Sequence, residues 1–454
     1  MDAKNLAVIG VVVVVIIAVV ILTVRPSAPQ QPPQTSSAPT QTGTPPSTQT
    51  QTAVGQTAAT STMPPATSTV QSGIVTSITT TTITTTVPST ATSTSAQVPS
   101  GQITGTGSTF IYLQMLQWAK TVYNQTVGKV QVTYTGTGSG AGMNNFVRKQ
   151  VDFGAGDIPM SPDLYKQIKG QFVQFPAIIG SAVFAYNVPE IAYSKTHMYL
   201  NLTAEVVALI AMGNITYWDD PRIKALNPGL ANLLPHQPII FVHRAEPSGT
   251  NAAVTLFLAK AYPPWNSTVG WGLKVNWPID ALGRGIGAQG NPGVAQAILQ
   301  NPYSIGYVEF AYWYVNKEQF NKIGGVAYVQ NPNDGKWYFP SVESVQLGAS
   351  SGLQRYLQKY GAYPKPTDDW NPVSYEFDDP PQGYPIIAFT YIYLWQDYSA
   401  QGYPDAAARA AVIKYFFTWI LTQGQSQQYI IPGYIPLPKD LAQIGLQAVN
   451  SVRP

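Results

Sequence analysis

"KVQVTYTGTGSGAGMNNFVRKQVDFGAGD", residues 129–157, changes its rhythm twice in one short run. Val130, Val132 and Tyr134 alternate with polar residues, the two-residue period of a half-buried strand. A run of Gly, Ser and Thr follows, then the helical "MNNFVRKQ", then a second β-like piece, "VDFGAG". Strand, glycine-rich turn, helix and strand in succession are the unit of α/β folds with largely parallel sheets. The alternation continues on both sides. "FIYLQMLQWAKTVY" carries apolar residues at helical spacing, and "QFVQFPAIIGSAVFAYNV" reads as a strand. "LTAEVVALIAMG" reads as a helix with Thr203 as N-cap, Glu205 in its first turn and Gly213 near its end. "DAAARAAVIKYFFTWILTQGQ" is a late helix. No internal repeat is visible. About 350 residues of this pattern exceed one ordinary layer stack, so two lobes are expected.

The chain as a whole has 454 residues and a formal charge of +3, which gives no nucleic-acid-binding surface. It has no Cys, which excludes disulfides, thiolate metal sites, Cys nucleophiles and a lipid-modified N-terminal Cys. Leu6–Val24 is an unbroken apolar run, roughly 28 Å long as a helix, close to a bilayer core. No small-x-small cleavage site follows it, which favours an uncleaved anchor over a cleaved signal at residues 1–25. Residues 26–101 are dominated by Thr, Ser, Pro, Gln and Ala and contain no charged residue. Such a segment buries no core that offsets its ordering entropy, and it reads as an O-glycosylated stalk or an unmodified linker. Sequons at Asn124, Asn201, Asn214 and Asn266 add weak support for export.

Three loops bring Gly, Ser and Thr from a strand to a helix start: "TGTGSTF" (Thr104–Phe110), "TGTGSGAG" (Thr135–Gly142) and "HRAEPSGTN" (His243–Asn251). The first N–H groups of a helix lack partners and the helix dipole is positive there, so anions are favoured. One such loop is explained by capping. Three in one α/β chain, one of them with Arg244, point to an anion site. Competing motifs carry less. "GTGSGA" (Gly136–Ala141) matches the dinucleotide fingerprint, with Asp157 at a suitable distance, but an exported location and a short following helix oppose it. "GASSG" (Gly348–Gly352) matches the nucleophile elbow, yet His197, His236 and His243 all precede it. Three scattered His without Cys make no metal cluster, and His243 reads as a strand-end residue.

The motifs "ITGTGSTF", "YTGTGSGAGMNNFVRKQVDFGAGDIPMS", "LTAEVVALIAMGNITYWDDPRI", "HRAEPSGTNAAVTLFL", "GNPGVAQAIL…SIGYVEFAYW" and "YPIIAFTYIYL" occur in this order. In them the chain, from Gln102 onward, resembles the substrate-binding proteins of phosphate ABC transporters. The resemblance implies a two-lobe, hinged periplasmic-binding-protein fold. The chain is expected to cross between lobes near Phe184–Tyr186 and return near Tyr384. That gives lobe I as 102–185 with 385–454, and lobe II as 186–384.

Carried over by position, the phosphate ligands fall on Thr109 and Phe110 through backbone N–H, on Ser139 and Asp157, and on Arg244, Ser248, Gly249 and Thr250. Glu246 stands where the family usually has Asp, orienting the arginine. Two departures are visible: Pro247 replaces a usual Gly, and Gly140 a usual second Ser. The implied protein is an extracellular, high-affinity receptor, tethered to the membrane, that delivers inorganic phosphate to ABC permease subunits. It is expected to be a monomer, with no catalysis, cofactor or metal.

The chemistry agrees: a dehydrated divalent anion needs many charge-assisted donors, and Arg offers a planar fork. Asp157 repels anions unless the ligand carries a proton to donate, as hydrogen phosphate does and sulfate near neutral pH does not. The alternatives are a receptor for another tetrahedral oxyanion, a phosphoryl-transfer enzyme on this fold, and a surface adhesin.

Overall fold

A computed structural model describes residues 97–454. The apolar run Leu6–Val24 and the Ser/Thr-rich segment up to residue 96 lie outside the described residues. Among the described residues no helix is long and apolar enough to cross a membrane.

Twelve strands form among the described residues: β1 (Gly101–Gly107), β2 (Val130–Gly136), β3 (Phe153–Gly156), β4 (Phe172–Asn187), β5 (Asn201–Leu202), β6 (Ile240–Arg244), β7 (Gly285–Ala288), β8 (Ser304–Glu309), β9 (Gly324–Val326), β10 (Tyr328–Gln330), β11 (Trp337–Tyr338) and β12 (Ile387–Trp395). Eight lie side by side in the order β2-β1-β3-β12-β4-β8-β6-β7, with β9 also paired to β4, and β11-β10-β5 form a small separate sheet. The expected parallel pairing holds on the flanks, where β1 runs with β2 and β3, and β6 with β7 and β8. The centre is antiparallel: β12 opposes β3 and β4, and β4 opposes β8 and β9. A chain that leaves one lobe and returns to it travels in opposite senses, so its two connecting strands pair antiparallel.

Every residue of β4 and of β12 is buried, in keeping with their predominantly apolar sequences. The polar Gln174 and Asn187 of β4 are hydrogen-bonded, Gln174 Oε1 accepting the Met160 N–H at 2.8 Å and Asn187 Nδ2 donating to the Ile298 carbonyl at 2.9 Å. β4 has 16 residues and changes partner along its length. Phe172–Ser181 pair with β12, and Ala182–Asn187 with β8. At about 3.3 Å per residue the strand is roughly 50 Å long, enough to serve both lobes. The result is a two-lobe α/β fold in which one long strand pairs with β12 along its first part and with β8 along its second.

The helix over Ala204–Ala211 begins as its sequence predicts: the Thr203 side chain accepts from the Val206 N–H at 3.2 Å. Gly213 beyond it has φ +78°. The late helix spans Ala406–Leu421. Gly348–Gly352 lies inside the helix Val342–Tyr360, so it is no strand-to-helix elbow. Four helices begin close to one another, linked by hydrogen bonds from Gly249 to Ser139 and from Asn291 to Thr109: α1 (Tyr112–Gln125), α2 (Ser139–Val147), α3 (Gly249–Ala261) and α4 (Gly290–Gln300). They follow β1, β2, β6 and β7 respectively. In parallel α/β units such loops gather at the carboxyl ends of the strands.

Candidate functional site

One wall of the cleft comes from the β1–α1 and β2–α2 turns and the end of β3. Phe110 is in the core, and its backbone N–H donates to Ser108 Oγ at 2.9 Å. Asp157, only 1% exposed, is surrounded by hydroxyls. Its Oδ1 accepts from Ser108 and from Thr390 Oγ1, the latter at 2.8 Å, and its Oδ2 from Ser139 Oγ at 3.2 Å. Burial pushes the Asp157 carboxyl up to about 6, while the Ser108 and Thr390 hydroxyls, the Arg244 charge and Ser139 pull it down.

The other wall follows β6. Arg244 is 4% exposed. Its Nε donates to Glu246 Oε1 at 2.9 Å, Nη2 pairs with the same oxygen, and Nη1 donates to Thr250 Oγ1 at 3.1 Å. Glu246 Oε1 also accepts the Gly290 N–H at 3.1 Å, which ties the guanidinium to α4. Ser248 caps α3, its Oγ accepting from the Asn251 N–H at 3.2 Å. The capping role read in this loop is therefore filled by Ser248, which leaves Arg244 and Thr250 to be explained otherwise.

The walls touch. The Gly249 N–H donates to Ser139 Oγ at 3.1 Å, and the Gly140 N–H donates to the Pro247 carbonyl at 3.1 Å. Gly249 is required by this approach: a Cβ there would lie 2.5 Å from Asp157 Cβ and 2.8 Å from Ser139 Oγ. Thr109 meets the second wall through Asn291, near the start of α4. All eight residues carried over from the resemblance are buried and gathered around this junction: Thr109, Phe110, Ser139 and Asp157 on one side, and Arg244, Ser248, Gly249 and Thr250 on the other.

Ser108, Thr390 and Asn291 were missed by the sequence reading. Each lies inside a quoted motif, but nothing in the local pattern separates it from its neighbours. Glu309, at the end of β8, is a fourth. It is fully buried, its backbone N–H donates to Asn291 Oδ1 at 2.9 Å, and burial pushes its carboxyl well above the usual range. His243 is structural: Nε2 meets Asp280 at 2.8 Å, and the ring stacks on Trp277 at 5.0 Å. Among the described residues no three metal-ligating side chains converge.

Two lobes served by one long strand, with helix N-termini and a buried arginine gathered where the walls meet, define a binding protein for a small anion. Residues 80–423 match the family model described as a PBP superfamily domain. The chain is 38% identical to the phosphate-binding protein PstS of Methanocaldococcus jannaschii over 77% of its own length and 86% of the relative's. It is 35% identical to PstS of Haemophilus influenzae, covering 75% and 90%. Among solved structures, the high-affinity periplasmic phosphate-binding protein PfluDING, bound with phosphate, is 21% identical with a TM-score of 0.57, covering 78% of this chain and all of that one. The chain belongs to the PstS family of phosphate-binding proteins, within the PBP superfamily.

Proposed function

We propose that this chain is a phosphate receptor: it captures inorganic phosphate in the cleft, closes over it and hands it to the permease of an ABC importer. Family membership carries the transport role, and a receptor of this kind performs no covalent chemistry. The observation that carries the site is the burial, at one junction of the two lobes, of all eight residues the family resemblance singles out. Arg244, Ser248, Gly249 and Thr250 would supply donors from one wall, and the backbone of Thr109 and Phe110 with Ser139 from the other, the Phe110 and Gly249 N–H groups and the Ser139 hydroxyl exchanging their protein acceptors for the ligand. Asp157 accepts the proton of hydrogen phosphate, Glu246 orients the arginine, and Gly140 lets the walls approach.

In this reading residues 1–25 are a membrane anchor and 26–101 a stalk, glycosylated where its hydroxyls are modified. Lobe I is 102–185 with 385–454, and lobe II is 186–384. The globular part is extracellular and monomeric. Calorimetry of the full chain in detergent, titrated with phosphate and with sulfate, tests the function. Tight binding of phosphate alone is expected. Preference for sulfate, or turnover of a phosphate ester, would replace the reading.

A further inference from the structure

Asn291 has no role in the ligand set carried over from the family, yet its side chain bridges the two walls of the cleft. It is fully buried at the start of α4. Its backbone N–H donates to Thr109 Oγ1 at 3.1 Å. Its side-chain Nδ2 donates to Thr109 Oγ1 at 3.2 Å and to Thr250 Oγ1 at 3.1 Å. Its Oδ1 accepts the Glu309 N–H at 2.9 Å. That last bond fixes which way the amide faces, because only the oxygen can meet a backbone donor. The nitrogen therefore points at the two threonines, one hydrogen for each.

A hydroxyl has one proton and two acceptor positions. Thr109 Oγ1 has both acceptor positions filled by Asn291. Thr250 Oγ1 has them filled by Asn291 and by Arg244 Nη1. Each hydroxyl is left with its proton as the only group it can offer. We infer that Asn291 is the positioning residue that turns Thr109 and Thr250, one from each wall, into obligate donors to a bound oxyanion and couples that donation to closure. A hydroxyl free to rotate can present either a lone pair or a proton to a ligand, and only the proton suits an anion. By holding Thr109 of the first wall from the second, Asn291 makes this polarity available only when the lobes meet. The inference rests on the phosphate-receptor reading.

The test measures phosphate affinity and dissociation rate for the full chain and for Asn291→Asp, Asn291→Ala, Thr109→Val with Thr250→Val, and the last pair combined with Asn291→Ala. Asn291→Asp keeps the shape but presents an oxygen where Nδ2 stood. The threonine hydroxyls then donate to the introduced carboxylate instead of the ligand, and affinity should fall by about 100-fold or more, with dissociation faster. Asn291→Ala should lose about tenfold in the native background and little further once both threonines are valine, because its effect acts through their hydroxyls. An equal loss in both backgrounds would mean a merely structural asparagine and overturn the inference, as would unchanged affinity in Asn291→Asp. If the Asn291 variants do not fold, full affinity in the valine pair would overturn it as well. If the native chain itself binds no phosphate, it is the receptor reading that fails, before this one is reached.

Discussion

The two walls of the cleft are built from the same kind of turn but carry opposite charge. At the end of β6 stands an arginine whose fork is held by Glu246 and Thr250. Behind β3 stands a carboxylate buried among three hydroxyls. A site that only needed to attract an anion would repeat the arginine wall twice. In the proposed receptor the Arg244 wall would carry attraction, and the Asp157 wall would admit only a ligand able to satisfy a buried acceptor. Specificity then comes from a penalty on the wrong anion as much as from contacts with the right one.

The strongest way to break this division is at Arg244. Arg244→Lys keeps the charge and discards the fork, leaving Glu246 and Thr250 without their planar partner. With charged hydrogen bonds contributing roughly 1.5–3 kcal/mol each, phosphate affinity should fall by about 100-fold, measured by calorimetry. Near-native affinity would move Arg244 away from the ligand and remove the attractive wall.

Asp157 can be tested without any ligand. Its carboxyl stands at about 6 in the folded protein against an ordinary 3.8. A raised carboxyl pKa leaves stability intact below about pH 4, and that stability is lost as pH rises through about 6, when a buried charge must form. At 1.36 kcal/mol per pKa unit the loss approaches about 3 kcal/mol. Asp157→Asn has no charge to form. The stability difference between mutant and native protein, from urea unfolding in phosphate-free and sulfate-free buffer, should shift in the mutant's favour by up to that amount between pH 4 and pH 7. A difference flat with pH would show that Asp157 titrates normally and is solvated.

In the proposed receptor the same carboxylate would set the ligand choice. Asp157→Asn replaces a repelling oxygen with an amide that can donate, so sulfate should gain while phosphate still binds. The phosphate-to-sulfate affinity ratio should fall by at least about tenfold near neutral pH, one step of 1.4 kcal/mol. In the native protein the ratio should also fall on acidification below about pH 6, where Asp157 itself takes a proton. An unchanged ratio in the mutant would leave discrimination with the second lobe alone.

Much of this was legible in the chain, for a physical reason. Strand period, helix period and glycine-rich turns are local, so β2, β3, α1 and the helix after Thr203 could be read from short windows. The residues at helix N-termini were visible as a class, because orphan N–H groups demand the same few residue types. The antiparallel centre was not legible, because the partner change along β4 depends on β8 and β12, far away in sequence. Asn291 and Thr390 were hidden for the same reason. Thr390 lies 233 positions from Asp157, and nothing in "YPIIAFTYIYL" marks which hydroxyl faces the carboxylate.

The smallest expected effect concerns two departures from the family pattern that look independent in the sequence and meet in the structure. Gly140 belongs to the first wall and Pro247 to the second. A Cβ on Gly140 would lie 2.6 Å from Pro247 Cβ, far inside contact distance, and the Gly140 N–H donates to the Pro247 carbonyl at 3.1 Å. The proline ring is rigid and cannot swing aside. With Pro at 247, the serine usual at 140 would hold the walls apart, and the pair is matched across the cleft. Gly140→Ser alone should therefore weaken phosphate binding several-fold, although it adds a hydroxyl donor, and small-angle scattering with phosphate should show incomplete compaction. Pro247→Gly alone should cost little, since it removes bulk from the junction. The double variant should recover most of the lost affinity. The decisive quantity is the interaction free energy of the double-mutant cycle, expected on the order of 1 kcal/mol for neighbours in direct contact. A cycle that closes at zero would mean the walls do not meet at these positions when phosphate is bound. The contrast between the walls would then describe two separate surfaces, not the two faces of one closed site.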